Sequence, residues 1–329
     1  MRKPRLVRRG VRSRYHCHSR TAGAQYLFGE REREAFRRRL QRVAAFCCLT
    51  IFTYSCLSNH FHVVLEVPAK LRLNNLKLFR LLRAFYGPRH PKTLEFARAL
   101  HGPNRARLDE LRTQYLARMG DLSVFMKELK EGFSKWFNDI HQRPGTLWAE
   151  RFRSVLFSDS ATLHVAAYVD LNGVRAGLAS DPASYRFCGY AEALARAGPA
   201  RSGLQRILPG KDFATQMAYY RTVLFGEASM GRKSGQAVLN PKEAWKVFQA
   251  EGKLSPSQVL LLKVRFFTEG IALGNEEFVK EIFAKWYQQF CQKRGQAAWP
   301  MCGADWQGLT TLKKIKMPFS LPNQQEKLD

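Results

Sequence analysis

The sequence predicts an α+β fold. A ferredoxin-like domain over residues 1–198 pairs an antiparallel sheet with helices on one of its faces, and a helical C-terminal domain follows over 199–329. Three observations predict this. Cys47–Cys56 and His60–Val67 are apolar, β-branched runs on either side of the turn Leu57-Ser58-Asn59. Stretches 30–45 and 123–140 instead repeat apolar residues at helical spacing. Composition then changes near Gly198–Gly210, which reads as a linker.

A strand is expected around Arg14–Ser19, followed by the polar turn Arg20–Ala24. Phe36, Leu40, Val43 and Ala44 form the apolar side of a helix over Glu30–Ala45, with Arg and Glu on its other faces. Pro68 stops the strand that begins at His60. From Ala69 to Gly120 the pattern weakens into helical pieces joined by loops, rich in Lys and Arg and broken at Gly87-Pro88, Pro91 and Gly102-Pro103. Phe125, Leu129, Phe133, Trp136, Phe137 and Ile140 mark the helix over Ser123–Ile140, and Trp148–Phe157 alternates as a fourth strand. A helix capped by Asp159 or Ser160 then runs through Leu163–Leu178. The order strand, helix, strand, strand, helix, strand is the split βαβ arrangement, whose first and third strands usually lie at the sheet centre. Beyond the linker, a helix from Ser255-Pro256 through Phe267 and another over Glu276–Cys291 predict a helix-turn-helix-like, DNA-binding pair.

The charge balance narrows the partner. With 54 Lys+Arg against 27 Asp+Glu the net charge is +27, which self-repels unless a polyanion neutralises it. Nucleic acid leads; an anionic membrane surface is the alternative, but no apolar run is long enough to span a bilayer. Arg5, Arg8, Arg9, Arg12 and Arg14 form a basic leader that reads as an arm along phosphates, with a transit peptide as the lesser reading. Seven cysteines (17, 47, 48, 56, 188, 291 and 302) form no CxxC pair, so a reduced, cytoplasmic setting is expected.

The chemistry centres on His60-Phe61-His62. Residues two apart on a strand face the same way, so both imidazoles converge while Phe61 points to the opposite face. Such a pair can hold a divalent metal, but an HxH also arises by chance, and His16-Cys17-His18 is a second one. The later pair is preferred because Val63–Val67 seats it in a sheet. On the helix over 163–178, Leu163, Ala167, Leu171, Val174 and Leu178 form the core stripe. Tyr168 and Asn172 lie together off that stripe, one turn apart, with His164 and Arg175 flanking. Two imidazoles, an amide oxygen from Asn172, a phenol and a guanidinium fit phosphoryl transfer to Tyr168. A structural pair of histidines and a surface tyrosine are the competing readings.

Three segments then resemble the REP-associated tyrosine transposases, a group of bacterial single-tyrosine HUH transposases. They are Asn59-His60-Phe61-His62-Val63-Val64-Leu65, Gly145-Thr146-Leu147-Trp148-Ala149-Glu150-Arg151-Phe152-Arg153-Ser154, and Tyr168-Val169-Asp170-Leu171-Asn172-Gly173-Val174-Arg175-Ala176-Gly177-Leu178. Tyr15–Arg20 and Phe267–Gly274 are also similar to segments of that family. The resemblance implies a ferredoxin-like HUH nuclease domain, acting as a dimer or monomer on single-stranded DNA that folds into hairpins. It implies His60, His62 and Asn172 as ligands of Mg²⁺ or Mn²⁺, and Tyr168 as the nucleophile that leaves a 5′-phosphotyrosine and a free 3′-hydroxyl. Arg151, Arg153, Arg175 and the leader arginines are the expected DNA contacts, in a cytoplasmic, nucleoid-associated protein. The family often has Pro where Gly173 stands; glycine weakens a helix at the same place. A catalytically silent hairpin-DNA-binding regulator derived from a transposase is the alternative. A rolling-circle initiator or relaxase shares the chemistry but typically has a third histidine near the pair or a second tyrosine, which are absent beside His62 and Tyr168.

Overall fold

A computed structural model describes residues 6–226, 254–290, 298–315 and 319–320; Arg5 and Cys291 lie outside them. The strands are β1 (Ser13–Arg20), β2 (Thr50–Cys56), β3 (His60–Val67) and β4 (Arg153–Phe157), in spatial order β2-β3-β1-β4. The first and third strands are therefore neighbours at the centre of this group. They pair antiparallel from Ser13↔Val67 to Arg20↔His60, and β1 pairs antiparallel with β4 from Arg14↔Phe157 to His18↔Arg153.

Two of the expected boundaries move. Cys47 ends helix α1 (Glu30–Cys47) and Cys48 turns left-handed at φ 57°, so β2 starts at Thr50. Trp148 makes only an isolated bridge to Thr21, and regular pairing of β4 begins at Arg153.

One face of the sheet packs on α1 and α5 (Leu122–His141). Phe61, fully buried, meets Phe36 of α1 at 4.6 Å and Trp148 at 5.4 Å between ring centroids, and Phe36 meets Phe133 of α5 at 5.3 Å. Burying a phenylalanine contributes about 1.5–3 kcal/mol, and a one-residue slip of β3 would exchange Phe61 for a histidine in that cluster. The apolar face thus fixes which way the histidines point.

Helices cover both faces, contrary to the expected single face. The helix predicted over 163–178 is α6 (Thr162–Asp170), interrupted at Leu171, where ψ is 0°, and resumed as α7 (Asn172–Arg175). It lies on the histidine face, where Thr53 of β2 donates to Asp170 at 2.6 Å. Every residue from Val165 to Asp170 is buried. A helix buried all round needs cover on two sides, so Leu163–Leu178 does not behave as a one-sided stripe: Leu178 is exposed and Tyr168 is not. The second cover comes from α10 (Phe213–Phe225), whose Tyr220 hydroxyl donates to Asp170 at 2.7 Å, and from residues 256–269.

The stretch 70–120 folds as α2 (Asn75–Tyr86), α3 (Pro91–His101) and α4 (Arg105–Leu116). Asn74 and Asn104 cap α2 and α4 by accepting backbone N–H groups, and Pro91 opens α3. The group docks on the end of α1 through Phe46 stacked on Phe85 at 4.2 Å.

Beyond residue 198 the fold departs further from the helical expectation. The expected linker holds helix α9 (Pro199–Gln205), with Pro199 in its first turn. A Cβ on Gly203 would sit 1.9 Å from the Ile51 carbonyl oxygen, so glycine there permits close packing on β2. The long helix expected through Phe267 ends at Leu260, and short strands replace much of an all-helical remainder. Strand β5 is Lys263–Val264; β6 (Ala272–Gly274) runs parallel to β4, and the main sheet continues β4-β6-β8-β7 through Thr310–Thr311 and Trp299–Pro300. The proposed helix-turn-helix connection therefore contains strands, and the sheet spans the expected boundary at 198. No helix among the described residues is long and apolar enough to cross a membrane.

Candidate functional site

The pairing of β1 with β3 brings the two HxH motifs together on one face. His18 stands directly opposite His62, and Arg20 opposite His60. Ring centroids are 5.0 Å apart for His16–His62, 5.3 Å for His18–His62 and 5.1 Å for His60–His62. The earlier motif is thus part of the same cluster and not a separate alternative. Adjacent central strands in the predicted topology were the signal that could have shown it.

All four rings are held neutral, foremost by burial. It pushes His16 and His60 down to about 3, His18 to about 4, and His62 well below its ordinary value. Nearby cations add to this for His60, with Arg20 first and Lys263 and Arg175 behind it. Neutral imidazole is the form that binds a metal.

Hydrogen bonds fix which nitrogen of His60 is free. Asn59 donates its Nδ2 to the Ala24 carbonyl at 3.0 Å, which orients its Oδ1 toward His60 Nδ1 at 2.5 Å. An oxygen can only accept there, so His60 carries its proton on Nδ1 and leaves an Nε2 lone pair.

Tyr168 lies against this cluster, its ring 6.3 Å from His62 and 6.1 Å from His16 between centroids. It is 3% exposed, not the rim residue that its off-stripe position predicts. Phe267 packs on it at 5.1 Å and the Arg175 guanidinium sits 4.0 Å from its ring centroid. Burial raises the phenol above its ordinary value, with Arg175 pulling the other way.

Arg175 is engaged within the protein. It donates to the carbonyls of Leu260 at 2.8 Å and Tyr168 at 2.6 Å, and to Asn172 Oδ1 at 3.0 Å. That last bond orients the Asn172 amide and leaves one lone pair on its oxygen. Asn172 Nδ2 is buried without a hydrogen-bond partner, as is the Ser55 hydroxyl, which pairs across from His62. Unsatisfied buried polar atoms cost about 1–3 kcal/mol each, so this face is short of partners that a bound polar group would supply.

No group of three or more His, Cys, Asp or Glu side chains among the described residues is arranged to hold a metal ion. A metal here would rest on two imidazoles and the Asn172 amide oxygen. The His60 tautomer fits that role, and Asn172 Oδ1, which accepts from Arg175, keeps one lone pair for it.

The predicted DNA contacts divide into engaged and free. Arg14 pairs with Glu66 at 3.1 Å and donates to Thr162 at 2.6 Å, and Arg12 reaches Asp159 at 2.8 Å. Arg8 lies 3.4 Å from Glu281 and Arg9 3.5 Å from Asp121. The described part of the leader therefore folds back on the protein, where acidic residues hold it, instead of extending as an arm. Arg151 is exposed, and Arg153, also exposed, pairs with Glu150 at 2.7 Å. Sequence reasoning missed Arg20 and Lys263, exposed cations beside the histidines with no ion pair among the described residues.

Among solved structures, the chain is similar to one described as a REP-associated tyrosine transposase bound to a REP hairpin. The TM-score is 0.39 at 14% identity, over 65% of this chain and 93% of that one. No protein-family model and no curated protein matches the chain.

Proposed function

We propose that this chain is a DNA transposase: a site-specific single-stranded DNA endonuclease and strand transferase, built on a ferredoxin-like HUH domain and acting on hairpin-forming DNA. The observation that carries the reading is the placement of the neutral His60–His62 pair and the Tyr168 phenol together on one sheet face, with the exposed cations Arg20 and Lys263 beside it.

His60 and His62, with Asn172, would hold Mg²⁺ or Mn²⁺, ions that accept amide oxygen and water readily. Bound there, such an ion supplies polarisation of a phosphate oxygen. Arg20 and Lys263 draw the phosphate backbone to the histidine face. The Tyr168 oxygen forms the bond to phosphorus and loses its proton, while the bond to the 3′-oxygen breaks and that oxygen takes up a proton. The product is a 5′-phosphotyrosine and a free 3′-hydroxyl, and attack by a 3′-hydroxyl reverses the step. Arg175 favours the phenolate by its charge. Because Tyr168 is covered by Phe267 and Arg175, DNA binding has to separate that cover from the ring.

The same covering favours a second reading, a hairpin-DNA-binding regulator that no longer cleaves. Cleavage of single-stranded hairpin DNA in Mn²⁺ separates the two. His60→Ala and His62→Ala are expected to abolish cleavage and leave hairpin binding nearly intact. Wild-type protein that binds hairpins without cutting them supports the regulator, and unfolding of both variants supports purely structural histidines.

A further inference from the structure

We infer that His16 is a positioning residue for His62, fixing the tautomer that leaves His62 Nε2 open to a metal. The inference rests on the metal reading proposed above.

The chain of hydrogen bonds has one polarity. His16 is fully buried, and its Nδ1 lies 2.7 Å from the backbone carbonyl oxygen of Phe267. A carbonyl has no proton to give, so His16 Nδ1 carries the hydrogen. Among the described residues no carboxylate hydrogen-bonds or ion-pairs with either buried ring, so each holds one proton. His16 Nε2 is then an acceptor, and it faces His62 Nδ1 at 2.8 Å. His62 must donate from Nδ1, and its lone pair is on Nε2. The opposite tautomer of His62 would set two lone pairs against each other at that distance.

The relay joins three distant parts of the chain: the carbonyl of Phe267, the first strand and the third strand. It does for His62 what Asn59 does for His60, through a residue 46 positions away in sequence. Orienting partners of this kind typically change metal affinity by about 10–100-fold when removed.

The test uses the full chain and two variants. His16→Leu removes both hydrogen bonds, whereas His16→Gln retains an acceptor for His62 and a donor for Phe267. Long-range ¹H–¹⁵N spectra of the metal-free proteins read the His62 tautomer directly, and calorimetry with Mn²⁺ alone reads affinity. Wild type and His16→Gln are expected to show His62 protonated on Nδ1. His16→Leu is expected to shift the proton to Nε2 and weaken Mn²⁺ binding about 10–100-fold, with His16→Gln restoring most of it. A wild-type His62 protonated on Nε2 overturns the inference whether or not His16→Leu folds, as does an unchanged tautomer in folded His16→Leu. Wild type that binds no Mn²⁺ defeats the metal reading, while the spectra still judge His16.

Discussion

Replacing Gly173 with alanine tests how the Asn172 turn is held. In a helix the change alone should stabilise by about 0.5–1 kcal/mol, since alanine loses less backbone freedom than glycine. At this site a Cβ would meet the Tyr185 ring at 2.6 Å from Cδ1, 2.7 Å from Cγ and 3.2 Å from Cβ. These atoms lie near the root of the side chain and cannot swing away. The far end is tied as well, with the hydroxyl donating to the Cys56 carbonyl at 2.6 Å and accepting from Arg33 at 3.2 Å. Overpacking of this kind costs about 1–3 kcal/mol, so the collision outweighs the gain and Gly173→Ala should lose about 1–2 kcal/mol net. Proline at this position would meet the same ring. Tyr185→Ala alone should cost about 3–5 kcal/mol, by analogy with other large aromatic truncations. In that background Gly173→Ala should become neutral or mildly stabilising, a coupling of about 2 kcal/mol. Urea unfolding followed by tryptophan fluorescence measures all four corners of the cycle. Additivity within about 0.5 kcal/mol would refute the steric account.

Two further predictions concern pH and salt. Burial pushes the Asp170 carboxyl up to about 6 from an ordinary 3.8, against hydrogen bonds from Thr53 and Tyr220. The folded chain therefore binds that proton more tightly than the unfolded one: the contribution is full below about pH 4 and roughly 3 kcal/mol is lost as pH rises through 6. Thermal unfolding should show this falling limb in wild type and not in Asp170→Asn; the same limb in both would show that another group causes it. For Arg20→Ala and Lys263→Ala, the salt dependence of single-stranded DNA binding should become shallower by about 0.7 per lost phosphate contact. Slopes equal to wild type would remove these residues from the DNA path.

The parts of the site legible in sequence are those set by local pattern. His60–Val67 is found as the strand its apolar, β-branched run predicts, because Phe61 and its neighbours are buried and the turn at 57–59 sets the register. The partnership of His16 with His62 is a tertiary fact. It follows from strand adjacency, and judging each HxH by its own flanking residues hid it. The off-stripe position of Tyr168 implies exposure only on a one-sided helix, and residues 256–269 and Tyr220 cover α6 from the far side. The C-terminal strands span two or three residues each, too few to display a period. Pro199 and Gly203 look like linker residues, yet one opens a helix and the other lets it approach β2.

The central claim is that Tyr168 becomes covalently joined to DNA. Incubating the protein with Mn²⁺ and 5′-phosphate-traceable, single-stranded hairpin DNA, then separating products under denaturing conditions, measures that bond directly. Wild type should yield a protein–DNA adduct together with a fragment ending in a free 3′-hydroxyl, and Tyr168→Phe should yield neither. An adduct of equal yield from Tyr168→Phe, or cleavage by wild type with no covalent product, would contradict it.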